Sequence, residues 1–439
     1  ATADPAVRKE GKAHTQLRRF ALLRSPGWRL VVALGCTTIL SYGTTQYLFG
    51  VLVVPMSTTF SWSRADISGA YALSLLVAGL LGVPVGYLVD RHGARWLMTL
   101  GSVLAGCSLI GLSQVSTLWQ FYLYWAGGIG IAMALILYPV TFTVITTWFA
   151  TERARAFALL TVLGGLASPL FLPLAGWLIP QWGWRTTLPC FGLAHFLLAV
   201  PIHAVLVRRA PQHKQETGRT TTGQDAARGD AWSVRQALRS LPFWTLTGSF
   251  SLALLGNEVL FTHQVAYLII HGYGAVLAAT LAGGVGLASL PGRVLLNLLS
   301  ERFSPQRLLV FCYLLQAGGV VALILAPSVS WVLVYVLLYG AAFGAMSPLC
   351  AAVMADHVGN NAYGAITGVQ GVMIAFSSAS GPLAAGWLYD VLGLYAVAFW
   401  FCAAGFLLAA LGVWLTPLPS TSSPATERAS GRVQRPASL

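Results

Sequence analysis

The stretch GYLVDRHGARW, residues 86–96, joins two apolar runs through a short charged loop. The first run covers roughly residues 67 to 89 and the second roughly 96 to 114, and about 20 apolar residues suffice for a helix to cross the ~30 Å hydrocarbon core of a bilayer. Asp90, Arg91 and Arg95 lie in the loop between them. This arrangement predicts two transmembrane helices joined by a charged loop that lies in water.

The composition of the whole chain agrees with this prediction. Hydrophobic residues make up 56% of the 439 residues, charged residues only 9%, and the mean hydropathy is +0.71. A water-soluble surface cannot be assembled from this composition, so we expect a polytopic membrane protein. The polar, basic segment before the first apolar run lacks the apolar core and the cleavage site of a signal peptide. We therefore expect the first span to be retained.

Apolar runs of this length occur six times before and six times after a polar segment. Lipid-facing backbone must satisfy its own hydrogen bonds, so we expect helices and an all-α membrane fold. The predicted spans are roughly 28–56, 67–89, 96–114, 118–148, 157–180, 186–207, 243–271, 275–300, 308–326, 331–355, 364–388 and 394–416. The predicted organisation is an amino-terminal segment (1–27), a six-helix half (28–207), a flexible linker (208–242), a second six-helix half (243–416) and a disordered tail (417–439).

The basic residues are distributed unevenly between the two sides of the membrane. Counting Lys and Arg over alternate loops gives 23 on the side of the termini and the linker, and two, Arg64 and Arg185, on the other side. The positive-inside rule therefore predicts a multi-pass protein of the plasma (inner) membrane with both termini cytoplasmic. This topology explains the net charge of +13 better than a nucleic-acid partner does, because the basic residues are dispersed between apolar spans.

Residue patterns typical of enzymes and of metal or nucleotide sites are missing from the sequence. The six cysteines are isolated in apolar stretches and are interpreted as packing residues. Glycine-rich stretches such as LAGGVGLA follow no predicted strand, so they indicate close helix packing rather than phosphate binding. We therefore expect no enzymatic activity, no metal and no cofactor.

The two halves resemble each other at equivalent places. The fifth span ends PLAGWLIPQWG (173–183) and the eleventh ends PLAAGWLYDVLG (382–393). The second span leads into GYLVDRHGARW, and the eighth leads into NLLSERFSPQRL (297–308). Two parallel halves related by an axis along the membrane normal predict a cavity between them in which a solute can bind.

GYLVDRHGARW resembles the loop motif Gly-x-x-x-Asp-Arg-x-Gly-x-Arg of the major facilitator superfamily, and the twelve spans extend the resemblance over about residues 28 to 416. It implies that Asp90, Arg91 and Arg95 belong to a cytoplasmic latch that breaks and re-forms as the halves rock. The alternative for the arginines is that they only set the topology. In the second half Glu301 and Arg302 keep the acidic-basic pair of the latch, without its glycine step.

A narrower resemblance comes from three stretches that occur in order at the appropriate spans. YLFGVLVVPMSTTFSWSRADIS (47–68), TTWFATERARAFAL (146–159) and WGWRTTL (182–188) are similar to the monocarboxylate carriers and to the related bacterial oxalate/formate antiporter. This branch is favoured over drug efflux and sugar transport.

Two formally charged residues, Glu258 and Arg293, lie within the spans away from their ends. A charge at the bilayer centre costs at least about 2.5–3.5 kcal/mol, so each is expected to face the protein interior or water and to have a partner. Arg293 lies eight residues before Glu301, roughly 12 Å deep, and Glu258 lies 15 residues after Phe243, roughly 22 Å from the start of its span. Both are therefore predicted near the middle of the membrane.

The guanidinium of Arg293 offers a planar fork of donors that matches a carboxylate and stays protonated. The resemblance implies the same role, because the carriers named above have an arginine in this span that engages substrate carboxylate. The alternatives are that Arg293 pairs permanently with Glu258, and that Glu258 holds it until substrate or a proton displaces it.

The chain departs from these relatives at the other charged positions. Animal monocarboxylate carriers have an aspartate one turn before the arginine and a lysine in the first span, where this chain has Ser289 and the triplet Thr45-Gln46-Tyr47. The antiporter has a second cation in span 11, where this chain has Gln370. One fixed cation instead of two favours a monocarboxylate over a dianion.

Proton coupling needs a group that gains and loses a proton during the cycle. Glu258 is the first candidate, because substrate bound to Arg293 would remove its counter-ion. His263 is the second, and a histidine bonded to backbone or water is the equal alternative.

Four uncharged polar residues complete the predicted substrate site. By the resemblance, Tyr138 in span 4 and Gln46 in span 1 align with polar cavity residues of the antiporter. Gln370 and Asn257 are further candidates, and satisfied helix contacts are the alternative for such groups.

The sequence thus predicts a secondary transporter that carries a small organic anion, a monocarboxylate before others, through the lipid bilayer by alternating access. Protons are the candidate coupling ion, and proton symport and anion exchange both stay open. Two alternatives are an exporter of an amphiphilic or cationic compound, with Glu258 selecting the cation, and a transport-inactive membrane sensor.

Overall fold

The computed structural model describes residues 25–149, 152–208, 234–300, 302–326, 328–358 and 363–417. Most of the predicted amino-terminal segment, linker and tail lies outside these ranges, and so does Glu301. All the regular secondary structure within the ranges is helical, as predicted.

Twelve helices in the described ranges are long and apolar enough to cross a membrane, which confirms the predicted number. They are α1 Pro26–Phe60, α2 Arg64–His92, α3 Ala94–Leu112, α4 Leu118–Trp148, α5 Arg155–Trp182, α6 Trp184–Leu206, α7 Leu241–Ile270, α8 Ala275–Leu296, α9 Pro305–Ile324, α10 Val329–Val358, α11 Ala365–Leu392 and α12 Tyr395–Leu415. A short helix, Val234–Arg239, precedes α7. We call the side where α6 ends and α7 begins the linker side, and the other the far side.

The ends of several helices are set by particular residues. The serine hydroxyls of Ser63, Ser240 and Ser304 accept from backbone N–H groups in the first turns of α2, α7 and α9 and so satisfy donors that have no partner within the helix. Gly183 and Gly393, with φ of 75° and 71°, end α5 and α11 in a conformation that other residues rarely adopt. These two glycines close the repeated sequence motif, so the sequence repeat is also a structural repeat.

Two spans change their helical geometry beside the predicted site. In α4 Leu137 adopts an extended conformation, and the helix restarts at Tyr138. The cause is Pro139, which has no N–H to donate to the preceding turn and whose ring clashes with it. In α1 residues Gly43–Tyr47 form a turn of π-helix, a geometry that is often found at functional sites.

The two halves pack against each other on the far side. The Asp390 carboxylate at the end of α11 accepts from the backbone N–H groups of Arg64 and Ala65 at the start of α2, at 2.8 and 2.7 Å. The α5 and α8 helices also meet closely, since a Cβ added at Gly176 would come within 2.5 Å of the Ala279 methyl group. The far side is therefore closed.

On the linker side α2 and α11 separate. The last close approach of α2 to α11 is at Gly79, where an added Cβ would lie 2.7 Å from the Ala375 methyl group. Residues three, four and seven positions further along a helix lie on the same face. Added Cβ atoms at Gly82 and Gly86 on α2 and at Gly371 and Gly368 on α11 would meet no atom within 4 Å. Along α2 and α11 the space between the halves is thus open toward the linker side.

Candidate functional site

Arg293 bridges the two halves through backbone carbonyl groups. Its Nη1 donates to the Thr161 carbonyl on α5 at 2.9 Å, and its Nε donates to the Gly344 carbonyl on α10 at 3.1 Å. Neutral carbonyl dipoles orient the guanidinium without cancelling its charge. The side chain is half-buried, and its two hydrogen bonds place the cation between the halves.

Glu258 has a different partner. The Tyr71 hydroxyl on α2 donates to its Oε2 at 3.1 Å, and the side chain is also half-buried. This hydrogen bond joins the two halves as well, at a second position.

The ion pair between Glu258 and Arg293, an alternative that the sequence leaves open, is not formed. Among the described side chains, the ion pair found within 4.0 Å is instead Arg155–Glu152 at 3.1 Å. The four-residue turn at 271–274 places the far-side ends of α7 and α8 at one level. From there Glu258 lies 12 residues along α7, about 18 Å, and Arg293 lies 18 residues along α8, about 27 Å. An offset of about 9 Å keeps the two groups apart.

Tyr138 and Tyr47 lie around these two charges. The Tyr138 hydroxyl is close enough to the Arg293 guanidinium to interact with it, and its ring centroid is 4.8 Å from that of Tyr42. Tyr47 lies within electrostatic range of both Arg293 and Glu258. The structure therefore places Tyr138, predicted as a substrate ligand, beside the predicted cation.

The other three predicted ligands are placed differently. Gln46 lies in the π-helical turn of α1 and is half-buried. Asn257 is only 1% exposed, and its Oδ1 accepts from Gln316 at 2.9 Å and from Tyr339. Gln370 is buried too, 3.4 Å from the Thr247 hydroxyl. Asn257 and Gln370 thus form contacts within the carboxy-terminal half in this conformation and are not part of the surface around Arg293.

His263, the second coupling candidate, is fully buried where α2, α7 and α11 meet. Its Nε2 lies 3.0 Å from the Pro382 carbonyl oxygen and 3.4 Å from the Ser68 hydroxyl. Its Nδ1 has no hydrogen-bond partner among the described residues. The imidazole is therefore part of the closed far-side interface, away from Arg293.

The predicted latch is open. Asp90 is exposed, and the Arg91 Nη1 donates to Tyr87 on its own helix at 3.4 Å. Arg95 lies over the Trp96 ring at 5.2 Å, and its buried Nε has no partner among the described residues. Arg302 is exposed, and its predicted companion Glu301 is outside the described residues.

A cavity of about 810 Å³ lies at the linker end of the amino-terminal half, with Asp90, Arg95, Thr143, Thr147 and Arg208 in its wall. Neither Arg293 nor Glu258 lines it. The cavity is thus separate from the space between the two charges.

Sequence reasoning missed Tyr71 and Asp390. Tyr71 is a tyrosine in an apolar span, and no pattern distinguishes it from a packing residue. Asp390 could have been found from the internal repeat, because it occupies the position at which the amino-terminal half has Pro180. An acid at one copy of a repeated helix end, and not at the other, indicates a contact made by that copy alone.

The described residues contain no group of three or more His, Cys, Asp or Glu side chains that could hold a metal ion. All six cysteines are free, and three of them, Cys36, Cys107 and Cys190, are exposed.

Comparison with known proteins identifies relatives among carboxylate carriers. Rat monocarboxylate transporter 13 is 28% identical over 397 residues, 89% of this chain and 88% of the relative. Rat monocarboxylate transporter 1 is 25% identical over 425 residues, 89% of this chain and 84% of the relative. An uncharacterised MFS-type transporter of Bacillus subtilis, YcxA, is 24% identical over 355 residues, 78% of this chain and 84% of the relative.

Solved structures share the fold. A bacterial homologue of the human lysosomal transporter Spinster, in an inward-facing and occupied conformation, superposes with a TM-score of 0.69 at 18% identity, covering 88% of this chain and 96% of that one. The xylose transporter XylE of E. coli, partially occluded and inward open, gives a TM-score of 0.65 at 18% identity, covering 90% and 100%. The family model of the Major Facilitator Superfamily matches residues 34–382 and 328–438. With this match over most of its length, the chain belongs to the major facilitator superfamily and is a membrane transporter related to the monocarboxylate transporters.

Proposed function

We propose that the protein transports a small organic anion, a monocarboxylate, by alternating access. The observation that carries this proposal is the guanidinium of Arg293, which lies between the halves without a carboxylate partner among the described side chains. An arginine held by neutral carbonyls retains the charge and the spare N–H groups that a carboxylate requires. The kinship with monocarboxylate transporters supports the same substrate class.

The charge count of the site limits the substrate. Arg293 supplies one cation, and Tyr138 beside it supplies a neutral hydroxyl. A second carboxylate of a dianion would lie in a mid-membrane space without a second fixed cation among the described residues there, which is unfavourable. This favours one carboxylate per substrate molecule.

Glu258 is the proposed coupling group. Its carboxylate accepts a hydrogen bond from the Tyr71 hydroxyl of the amino-terminal half, so this bond depends on the arrangement of the two halves. Protonation would weaken this bond, because a neutral carboxyl is a poorer acceptor than a carboxylate. Proton binding would thereby ease the separation of α2 from α7.

The cycle proceeds by rocking of the two halves, 28–207 and 243–416, around Arg293. The linker side is proposed to face the cytoplasm of a cell whose plasma membrane holds the protein, on the basis of the 23 to 2 distribution of Lys and Arg. The open space described above would then face inward, and closure of the linker side by Asp90, Arg91 and Arg95 would follow substrate release.

The test is uptake of labelled monocarboxylates and dicarboxylates into proteoliposomes, with and without an imposed pH gradient. Arg293→Ala should abolish uptake of every monocarboxylate that the native protein carries. The matched control is Arg239→Ala, on the exposed short helix before α7, which should leave uptake unchanged. Normal transport by Arg293→Ala would refute the proposal. If the native protein transported a cationic compound and Glu258→Gln alone lost that transport, the exporter alternative would be favoured.

A further inference from the structure

Half-buried aromatic rings form one wall beside Arg293. Tyr138, which interacts with the guanidinium, stacks on Phe142 with centroids 5.0 Å apart and planes 7° from parallel. Phe142 in turn meets Phe157 of α5 at 4.9 Å and 60°. Phe157 lies four residues, one helical turn, before Thr161, whose carbonyl accepts from Arg293.

A second wall of rings approaches Arg293 from the carboxy-terminal half. Phe343 directly precedes Gly344, whose carbonyl accepts from the Arg293 Nε. Its ring meets Phe261 of α7 at 4.9 Å and 79°, and Phe261 meets Tyr47 of α1 at 5.9 Å and 88°. Phe343 and Phe261 are half-buried, as are the rings of the first wall.

The rings of both walls are only partly buried, which the packing of the halves does not require. Phe399 and Phe406, which fill the core of the carboxy-terminal half, are both 0% exposed. The rings near Arg293 instead keep part of their surface free, on both sides of a cation that is ready for a carboxylate. Aromatic rings prefer edge-to-face and offset contacts with other rings, and such contacts add to the gain from burial.

We infer that the substrate is an aromatic monocarboxylate, with its carboxylate on Arg293 and its ring between the walls that contain Phe142 and Phe343. This inference rests on the proposed function, because it requires a carboxylate at Arg293. A carboxylate with a one- or two-carbon chain would leave the free ring surfaces unfilled. An aryl group of a substrate would cover them.

The inference is tested by uptake of labelled phenylacetate and acetate into proteoliposomes that contain the full chain. We expect a half-saturation concentration at least tenfold lower for phenylacetate than for acetate. Equal values, or a lower value for acetate, would overturn the inference while leaving monocarboxylate transport intact. If Arg293→Ala carried both compounds normally, the proposed function itself would fail, and this inference with it.

Ring-deleting variants separate a substrate contact from a structural role. Phe142→Leu and Phe343→Leu keep an apolar side chain but remove the ring, and each should raise the half-saturation concentration for phenylacetate five- to tenfold while that for acetate stays within twofold. The matched control is Phe311→Leu on α9, a ring 48% exposed that forms no ring contact among the described residues. Parallel changes for the two substrates in both variants would show that the rings only support the fold, and would overturn the inference.

Discussion

The Arg293 Nη1 lies 2.9 Å from the carbonyl oxygen of Thr161, so a side chain of the carboxy-terminal half is bonded to the backbone of the amino-terminal half. The same guanidinium is bonded to Gly344 within its own half. A group held from both halves senses their relative position. If substrate binds the remaining N–H groups, as we propose, its binding would be coupled to the movement that alternating access requires.

Replacing Arg293 by lysine keeps the charge but removes the fork of donors. An ammonium on a flexible chain cannot bond Thr161 and Gly344 and also present two parallel donors to a carboxylate. We therefore expect Arg293→Lys to raise the half-saturation concentration for monocarboxylate at least tenfold, about 1.4 kcal/mol. Uptake titrations in proteoliposomes measure this, and an unchanged value would show that a point charge is sufficient.

Replacing Glu258 by glutamine keeps an acceptor for the Tyr71 hydroxyl but removes the titratable group. The variant should no longer accumulate substrate in response to a pH gradient, while exchange of labelled for unlabelled substrate continues. Paired accumulation and exchange assays on the same vesicles check this. Accumulation that still follows the pH gradient would rule out Glu258 as the coupling group.

Much of the fold follows from the sequence because lipid imposes a simple pattern. Twelve apolar runs gave twelve helices, and span 4, predicted at 118–148, agrees with α4 at both ends. The predicted helix ends were less accurate where polar or charged residues extend a helix beyond the apolar run. The second span, for instance, begins at Arg64 rather than at about residue 67, because Ser63 caps it.

The site was only partly predictable. The sequence gives each charge a depth along its own helix, and the estimates for Glu258 and Arg293 already differed by about 10 Å. Whether the two charges form an ion pair depends on how α7 and α8 are arranged, and the periodicity of the sequence does not determine that arrangement. Tyr71 and Thr161 contact these charges from the other half, across 187 and 132 residues of chain. Such contacts depend on the conformation of the transporter as well as on its fold.

Asn257 should contribute to stability rather than to substrate affinity. Its Oδ1 accepts from Gln316 and Tyr339, so Asn257→Ala leaves two buried donors without a partner. We expect a free energy of unfolding lower by about 1–3 kcal/mol, seen as a lower Tm in detergent, with an unchanged half-saturation concentration. Gln46→Ala provides the contrast, since a half-buried residue in the predicted site should change affinity and leave Tm unaltered. The opposite pattern would return Asn257 to the substrate site.

Asp390 should hold the far side closed. Its carboxylate accepts two backbone N–H groups at the start of α2, where the helix dipole also favours a negative charge. Asp390→Asn loses the charge and one of the two acceptors, so the equilibrium should shift toward far-side opening by about 1–2 kcal/mol, roughly five- to thirtyfold. Spin labels at Ser116 and Ser328, exposed far-side positions in opposite halves, measure the opening on a background without the native cysteines. The exposed Asp356 on α10 provides the matched control, because Asp356→Asn removes the same charge on the linker side and should leave the label distances unchanged. Identical distances in Asp390→Asn and the native sequence would mean that the apolar contacts of α2 with α11 close the far side without this carboxylate.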